Sequence, residues 1–176
     1  ITRSFVLNAT LSDIATSDIT EAQIGVNDYT LELFHVTDQE AAFGAIEAAP
    51  NLSAVLNALK AEDLGKDGIA DNTLVLSSGD AIIPGLFFSA SEEVYGSEGV
   101  ADILIQNELG IQAIAFGNHE FDFGEDNLKR LNSLADFPLL AANIQTQRNG
   151  APVSYARPWA LFERGGVKVG VVGLAT

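Results

Sequence analysis

The chain has 176 residues, of which 47% are hydrophobic and 19% are charged, and this composition predicts a single globular domain rather than a disordered polypeptide. The chain contains nine Lys and Arg residues and 24 Asp and Glu residues, so its formal net charge is −15. This charge argues against binding a nucleic-acid duplex through a basic surface. Cysteine is absent, which excludes disulfides and thiolate metal sites, and no apolar run is long enough to predict a transmembrane segment.

The first third of the chain predicts one strand and one helix. Residues 1–28 are polar and weakly patterned, so we interpret them as a linker or N-terminal extension, with a short strand at residues 5–7 as the alternative. Residues 29–36 are rich in strand-forming side chains. Residues 50–60 follow, with apolar side chains at helical spacing, and predict a helix that begins at Pro50.

The middle of the chain repeats the alternation of strand and helix. Residues 73–78 form a short apolar run that predicts a strand, and a loop around Pro84 and Gly85 follows it. Residues 100–109 have the periodic pattern of an amphipathic helix. The predicted helix ends at Gly110, because glycine commonly terminates helices.

The last third predicts four further strands and one helix. Residues 113–116 and 139–142 are apolar strands on either side of a helix at residues 124–134. Residues 159–162 and 167–172 can pair as a hairpin around two glycines. Apolar strands that alternate with helices are typical of an α/β protein with a largely parallel sheet covered on both faces.

Three predicted strands end in polar residues: Asp38 and Glu40 follow the first, Asp80 the second, and Asn118 and His119 the third. A single polar residue at such a place often caps the next helix. Together, however, the ends of parallel strands converge on one edge of the sheet, where α/β proteins bind ligands. Carboxylate, amide and imidazole groups suit divalent ions, and two ions can clamp a phosphoryl group and activate water.

The residues around this third strand end allow further chemistry. His119 and Asp122 are three positions apart, so the carboxylate can accept the imidazole N–H and fix its tautomer for proton transfer. Alternatively, Asp122 caps the helix that follows. Glu120 is either a solvated carboxylate or one that lies behind the metal ligands. His35 lies within the first strand, and we expect it to be packed between layers and not to bind a metal.

Three segments resemble, in order and spacing, the motifs of the calcineurin-like metallophosphoesterases, above all the 5′-nucleotidase branch, which includes 2′,3′-cyclic nucleotide phosphodiesterases. The segments are Phe34-His35-Val36-Thr37-Asp38, Ser78-Gly79-Asp80 and Gly117-Asn118-His119-Glu120-Phe121-Asp122. The resemblance implies a layered αββα-type metallophosphatase sheet with helices on the faces. We expect residues 29–176 to be the N-terminal part of such a domain, truncated at the C-terminus.

The resemblance also implies a role for each residue of the motifs. Asp38 would bind a first metal ion, Asp80 would bridge two ions, and Asn118 would bind the second ion and the phosphate. His119 and Asp122 would form the catalytic dyad. The implied cofactors are two divalent metal ions (Mn, Mg, Ca or Zn), the substrate is a nucleotide or other phosphate ester, and the location is extracellular or periplasmic. No oligomeric state is implied.

Two features depart from the family pattern. The family's first motif is usually Asp-x-His, whereas Glu40 stands here, so Glu40 either binds a metal and favours Mn, Mg or Ca, or it points away. The family also uses downstream histidines, and no histidine follows His119. We therefore expect the parent protein to hydrolyse phosphate esters through a two-metal-activated water, and this chain alone to be inactive or weak. The alternative is a degenerate, non-catalytic domain that serves binding or surface display.

Overall fold

The structure, a computed structural model, describes residues 6–8, 30–39, 43–67, 72–146 and 149–175. Its main sheet contains five strands that lie side by side in chain order. The first pair is antiparallel and the other three pairs are parallel, as expected for the α/β class. The strands are β1 (Val6–Asn8), β2 (Thr30–Val36), β3 (Thr73–Ser77), β4 (Ala113–Ala115) and β5 (Leu139–Leu140).

Helices cover one face of this sheet. Right-handed crossovers between strands in sequential order place all connecting helices on the same side. In agreement, Leu56 and Leu128 pack in one buried cluster with Val75 of β3 and Ile114 of β4. The helices are α1 (Phe43–Asp67), α2 (Leu86–Tyr95), α3 (Val100–Glu108) and α4 (Gly124–Asn132).

A β-hairpin covers part of the opposite face. Strands β6 (Trp159–Arg164) and β7 (Val167–Val172) pair antiparallel, which confirms the predicted hairpin. Gly165 and Gly166 have φ angles of 54° and 80°. A two-residue turn whose twist matches that of the paired strands requires positive φ angles at both of its central residues. Ala160 of β6 packs with Ala113 of β4 and Leu140 of β5 in a separate apolar cluster.

Two helices differ from the sequence prediction. Helix α1 begins at Phe43, and Pro50 lies inside it, whereas we expected Pro50 at its start because proline is favoured in a first helical turn. Helix α2 was not predicted. Its buried positions include Ser91, whose hydroxyl donates to the Ser97 carbonyl and accepts from the Val100 N–H, so a polar residue interrupts the apolar pattern.

The prediction for His35 was also wrong, since this side chain is exposed and not packed between layers. The apolar contacts of the hairpin are with β3, β4 and β5, and His35 lies on β2. Strand β1 agrees with the short strand considered for the N-terminal segment, and the rest of residues 1–28 lies outside the described residues. Within the described ranges, no helix has both the length and the apolarity required to cross a bilayer.

Candidate functional site

The C-terminal ends of β2, β3 and β4 meet at one edge of the sheet. The backbone N–H of Asp38 donates to the carbonyl of Gly79 at 3.2 Å, which joins the first two strand ends. The Asp80 Oδ1 atom accepts a hydrogen bond from the backbone N–H of His119 at 2.9 Å, which joins the second to the third. Asn118 is exposed directly before His119. The structure therefore brings Asp38, Asp80, Asn118 and His119 to one edge, as the sequence predicted for these four residues.

Both aspartates at this edge have an uncommon backbone conformation. Asp38 and Asp80 have φ angles of 51° and 50°, in the left-handed region that side chains other than glycine seldom adopt. Aspartate tolerates this conformation better than most residues, yet it still costs free energy. Strain of this kind is often found at functional sites, so the two aspartates are the first candidates for ligand binding.

Two glycines allow the β3 and β4 loops to touch. A Cβ atom on Gly117 would lie 2.2 Å from Asp80 Oδ1 and 2.8 Å from the Asp80 backbone nitrogen. A Cβ atom on Gly79, whose φ angle is 99°, would lie 2.1 Å from the Gly117 nitrogen. Any larger side chain at either position would separate the loops, so the place of the Asp80 carboxylate depends on both glycines.

A buried carboxylate, that of Glu120, holds the two loops together from behind. Its Oε2 atom accepts hydrogen bonds from the backbone N–H groups of Gly117 at 2.7 Å and Asp80 at 3.0 Å. Its Oε1 atom accepts from the N–H of Ala81 at 2.9 Å. Glu120 is 5% exposed, and burial raises its pKa, whereas the three N–H donors act in the opposite direction.

Of the two interpretations of Glu120 offered by the sequence, the solvated carboxylate is wrong. A single 3₁₀ turn at His119–Phe121 contains Glu120, and the side chain is directed into the protein toward the loop that follows β3. The sequence offered a position behind the site as the other interpretation, but it did not indicate the hydrogen-bond partners, because the three N–H donors are backbone groups that the residue pattern does not show.

The predicted pair of His119 and Asp122 is present. The His119 Nδ1 atom lies 2.6 Å from Asp122 Oδ2, and both side chains are 30% exposed. An ionised carboxylate can only accept, so Nδ1 carries the proton of this contact. The alternative role of Asp122 as a cap is wrong, because α4 has Phe123 at its N-cap position and no side-chain hydrogen bond there.

A chain of hydroxyl groups links Asp38 to the neighbouring strand end. Thr37 Oγ1 donates to Asp38 Oδ2 at 2.6 Å, and Ser78 Oγ donates to Thr37 Oγ1 at 2.8 Å. These bonds restrict the Asp38 carboxylate to one side of the edge. The sequence contained both hydroxyl residues, but their contact depends on the parallel pairing of β2 with β3.

The described side chains at this edge carry oxygen atoms of the kind that bind metal ions. Asp38 and Asp80 offer carboxylate oxygens and Asn118 offers an amide oxygen, a set that suits hard divalent ions. Glu40 lies outside the described residues. Within the part of the chain that the structure describes, no three His, Cys, Asp or Glu side chains form a group that could hold a metal ion. The donors present fit such an ion in kind, and further ligands would be needed to complete its coordination.

A concave surface separate from the strand-end edge lies elsewhere on the molecule. A groove of about 660 Å³ runs between α1, α2 and α3 and is lined mainly by apolar side chains. None of the predicted site residues lines it. The chemistry of the polar groups, rather than cavity size, therefore identifies the strand-end edge as the candidate site.

Known proteins that are similar to this chain are nucleotidases. No protein-family model matches the chain. A 5′-nucleotidase of Vibrio vulnificus is 30% identical over 178 residues, which cover 98% of this chain and 30% of that protein. The chain spans less than a third of the length of the curated relatives it matches first.

The solved structures that are similar to this chain include a nucleotidase and a phosphoesterase. A 5′-nucleotidase precursor from Thermus thermophilus is 28% identical, with a TM-score of 0.62, over 83% of this chain and 28% of that chain. The calcineurin-like phosphoesterase YfkN from Bacillus subtilis is 24% identical, with a TM-score of 0.62, over 82% of this chain and 48% of that chain. The second likeness concerns the fold, and it agrees with the layered α/β architecture that the sequence predicted.

Proposed function

Because this chain is a homologue of bacterial 5′-nucleotidases within the calcineurin-like phosphoesterases, we propose that its parent protein hydrolyses nucleotides or related phosphate esters. The observation that carries the proposal is the His119–Asp122 contact of 2.6 Å beside the Asp80 carboxylate, which accepts the His119 N–H. Residues 29–176 would form the N-terminal part of the phosphoesterase domain, and residues 1–28 a linker or extension.

The carboxylates at the strand ends would hold divalent ions in the parent protein. Asp38 would bind one ion, Asp80 would bridge two, and Asn118 would bind the second, with Glu40 as a further ligand. Such ions would supply positive charge for the phosphoryl oxygens and increase the acidity of the attacking water. The hydrogen bond from the His119 N–H leaves the second oxygen of Asp80 for this task.

His119 would act on the leaving group. Its Nδ1 proton is held by Asp122, which stabilises the imidazolium form through a charge-assisted hydrogen bond. An imidazolium can then donate from Nε2 to the ester oxygen as the P–O bond breaks. Asp122 would be a positioning residue, because it acts on the substrate only through His119.

The proposed location is extracellular or periplasmic. The Thermus relative is described as a precursor, and the net charge of −15 is compatible with export. Fractionation of cells that produce the parent protein tests this point, and recovery in the cytosolic fraction would contradict it.

The activity is tested with p-nitrophenyl phosphate and AMP, with Mn²⁺ present, on the parent protein and on its His119→Ala variant. We expect kcat to fall about 10²- to 10⁴-fold, the usual contribution of general acid catalysis. His35→Ala is the matched control, since His35 is an exposed histidine on β2 outside the site, and we expect it to retain full activity. Equal rates for His119→Ala and the parent would disprove the dyad. A parent protein without activity would favour the non-catalytic domain.

A further inference from the structure

A small cavity with three polar lining residues lies behind the loop that carries Asp80. Its volume is about 20 Å³, close to the space that one water molecule or one small ion occupies. Ala81, the residue after Asp80, and Gln39, which follows β2, form part of its wall, and α1 and α3 form the rest. Its polar lining residues are Gln39, Asp102 and Gln106.

Each of these three residues has a buried oxygen atom without a hydrogen-bond partner among the described residues. The atoms are Asp102 Oδ2, Gln106 Oε1 and Gln39 Oε1. Asp102 and Gln106 are each 3% exposed and lie four positions apart on α3, so they share one face of that helix. Burying an oxygen acceptor without a partner is unfavourable, so three such atoms on residues that line one cavity point to an occupant.

The kind of occupant follows from the number and charge of these oxygens. A water molecule donates two hydrogen bonds and cannot satisfy three acceptors, whereas a cation can contact all three. The cavity contains one carboxylate and two neutral amides, so its single negative charge balances a monovalent cation but not a divalent ion such as calcium or magnesium. We propose that Asp102, Gln106 and Gln39 bind a monovalent cation of the size of Na⁺.

The electrostatics of Asp102 support this assignment. Burial raises the pKa of Asp102 to about 6, and a backbone hydrogen bond offsets this effect only in part. The remaining side chains that line the cavity, on α1, on α3 and after β3, are uncharged. A bound cation would supply the missing positive charge and keep Asp102 ionised.

The ion would stabilise the candidate site from behind without taking part in its chemistry. The Ala81 N–H donates to Glu120, which also holds Asp80 and Gly117. An ion against Ala81 therefore strengthens the loop that presents Asp80. The inference does not depend on the proposed hydrolysis, and its test requires no substrate.

Thermal unfolding at pH 8 tests the proposal, with NaCl compared with N-methyl-D-glucamine chloride at equal ionic strength. For an affinity of about 10 mM, 100 mM Na⁺ should raise Tm by about 3–5 °C with a saturable dependence. Asp102→Asn should abolish this difference between the two salts. Asp126→Asn, which changes an exposed aspartate on α4, should retain it.

A second variant and a direct readout cover the case in which Asp102→Asn does not fold. Gln106→Met removes one oxygen, preserves the charge of Asp102, and should raise the Na⁺ concentration at half-effect several-fold. Broadening of the ²³Na NMR signal by the native protein should weaken to the same extent. Identical Tm values of the native protein in the two salts would overturn the proposal and leave a water molecule as the occupant. A full Na⁺ response in either variant would also overturn it.

Discussion

Glu120 accepts a hydrogen bond from the backbone N–H of Asp80 at 3.0 Å, although 40 positions separate the two residues in the chain. The same oxygen accepts the N–H of Gly117, so one atom joins the loop after β3 to the loop after β4. Asp80 in turn accepts the N–H of His119 through its side chain. The backbone of the site is thus held by a buried carboxylate, while the Asp80 carboxylate faces the edge of the sheet.

The substitution Glu120→Gln tests this arrangement. An amide has one acceptor oxygen, so its NH₂ group would face one or two backbone donors and leave them unsatisfied. We expect the free energy of unfolding to fall by about 1–3 kcal/mol, measured by urea denaturation. Glu125→Gln is the control, since it removes an exposed ion pair with Lys129 and should change the free energy of unfolding far less than Glu120→Gln. Equal effects of the two substitutions would show that the buried hydrogen bonds contribute nothing.

Gly117→Ala should displace the Asp80 carboxylate. The new methyl group would lie 2.2 Å from Asp80 Oδ1, far inside normal contact distance, so the loops must separate. We expect a loss of stability of about 1–3 kcal/mol, as for other overpacked sites, and a large loss of phosphatase activity in the parent. Both are measured on purified protein by thermal unfolding and by p-nitrophenyl phosphate hydrolysis.

Gly170→Ala is the matched control for this substitution. A Cβ atom on Gly170 meets nothing within 4 Å, and the residue lies within β7. We expect unchanged activity and a stability equal to or slightly above that of the native chain, since alanine loses less entropy than glycine on folding. Normal activity in Gly117→Ala would show that the site does not require the close contact of the loops.

Binding of Mn²⁺ to this chain should be weak. The described residues supply only part of a coordination shell, so calorimetry should give a dissociation constant above micromolar. Asp80→Asn should weaken binding further, because it removes the charge while asparagine still accepts the His119 N–H and tolerates the positive φ angle. Thermal unfolding without metal should be nearly unchanged. Tight binding of two ions to the native chain would show that its ligand set is already complete.

The stability of the chain should depend on pH through Asp102. Its pKa rises from 3.8 to about 6 on folding because of burial, so the folded state binds the proton more tightly. This contribution to stability is present below about pH 4 and is lost as the pH rises through 6. In buffers without Na⁺, Asp102→Asn should therefore gain up to about 3 kcal/mol relative to the native chain between pH 4 and 7.

Urea denaturation across this pH range measures the effect. Asp126→Asn, at an exposed position, provides the baseline for the loss of one surface carboxylate. A pH-independent difference between Asp102→Asn and the native chain would mean that Asp102 titrates alike in the folded and unfolded states.

Much of the fold was predictable because its signals are local. The apolar runs of β2, β3 and β4, and the glycines between β6 and β7, have the periods and turn residues that define these elements over a few positions. The buried Ser91 forms hydrogen bonds with Ser97 and Val100, and the spacing of apolar residues does not indicate such bonds. Helix α2 was therefore not predicted. His35 was misjudged because the extent of the hairpin over the sheet is a property of packing.

The sequence alone determined which side chains form the candidate site. Asp38, Asp80, Asn118 and His119 follow strands, and strand order in a parallel sheet is enough to bring them to one edge. Only the tertiary structure decided how they are held, since the contacts of Glu120 with the Asp80 loop join distant parts of the chain. It also decided that Asp102 is buried at a cavity that two glutamines line as well. Residue type and spacing report a side chain's chemistry, whereas burial and hydrogen bonding arise only when separate elements pack together.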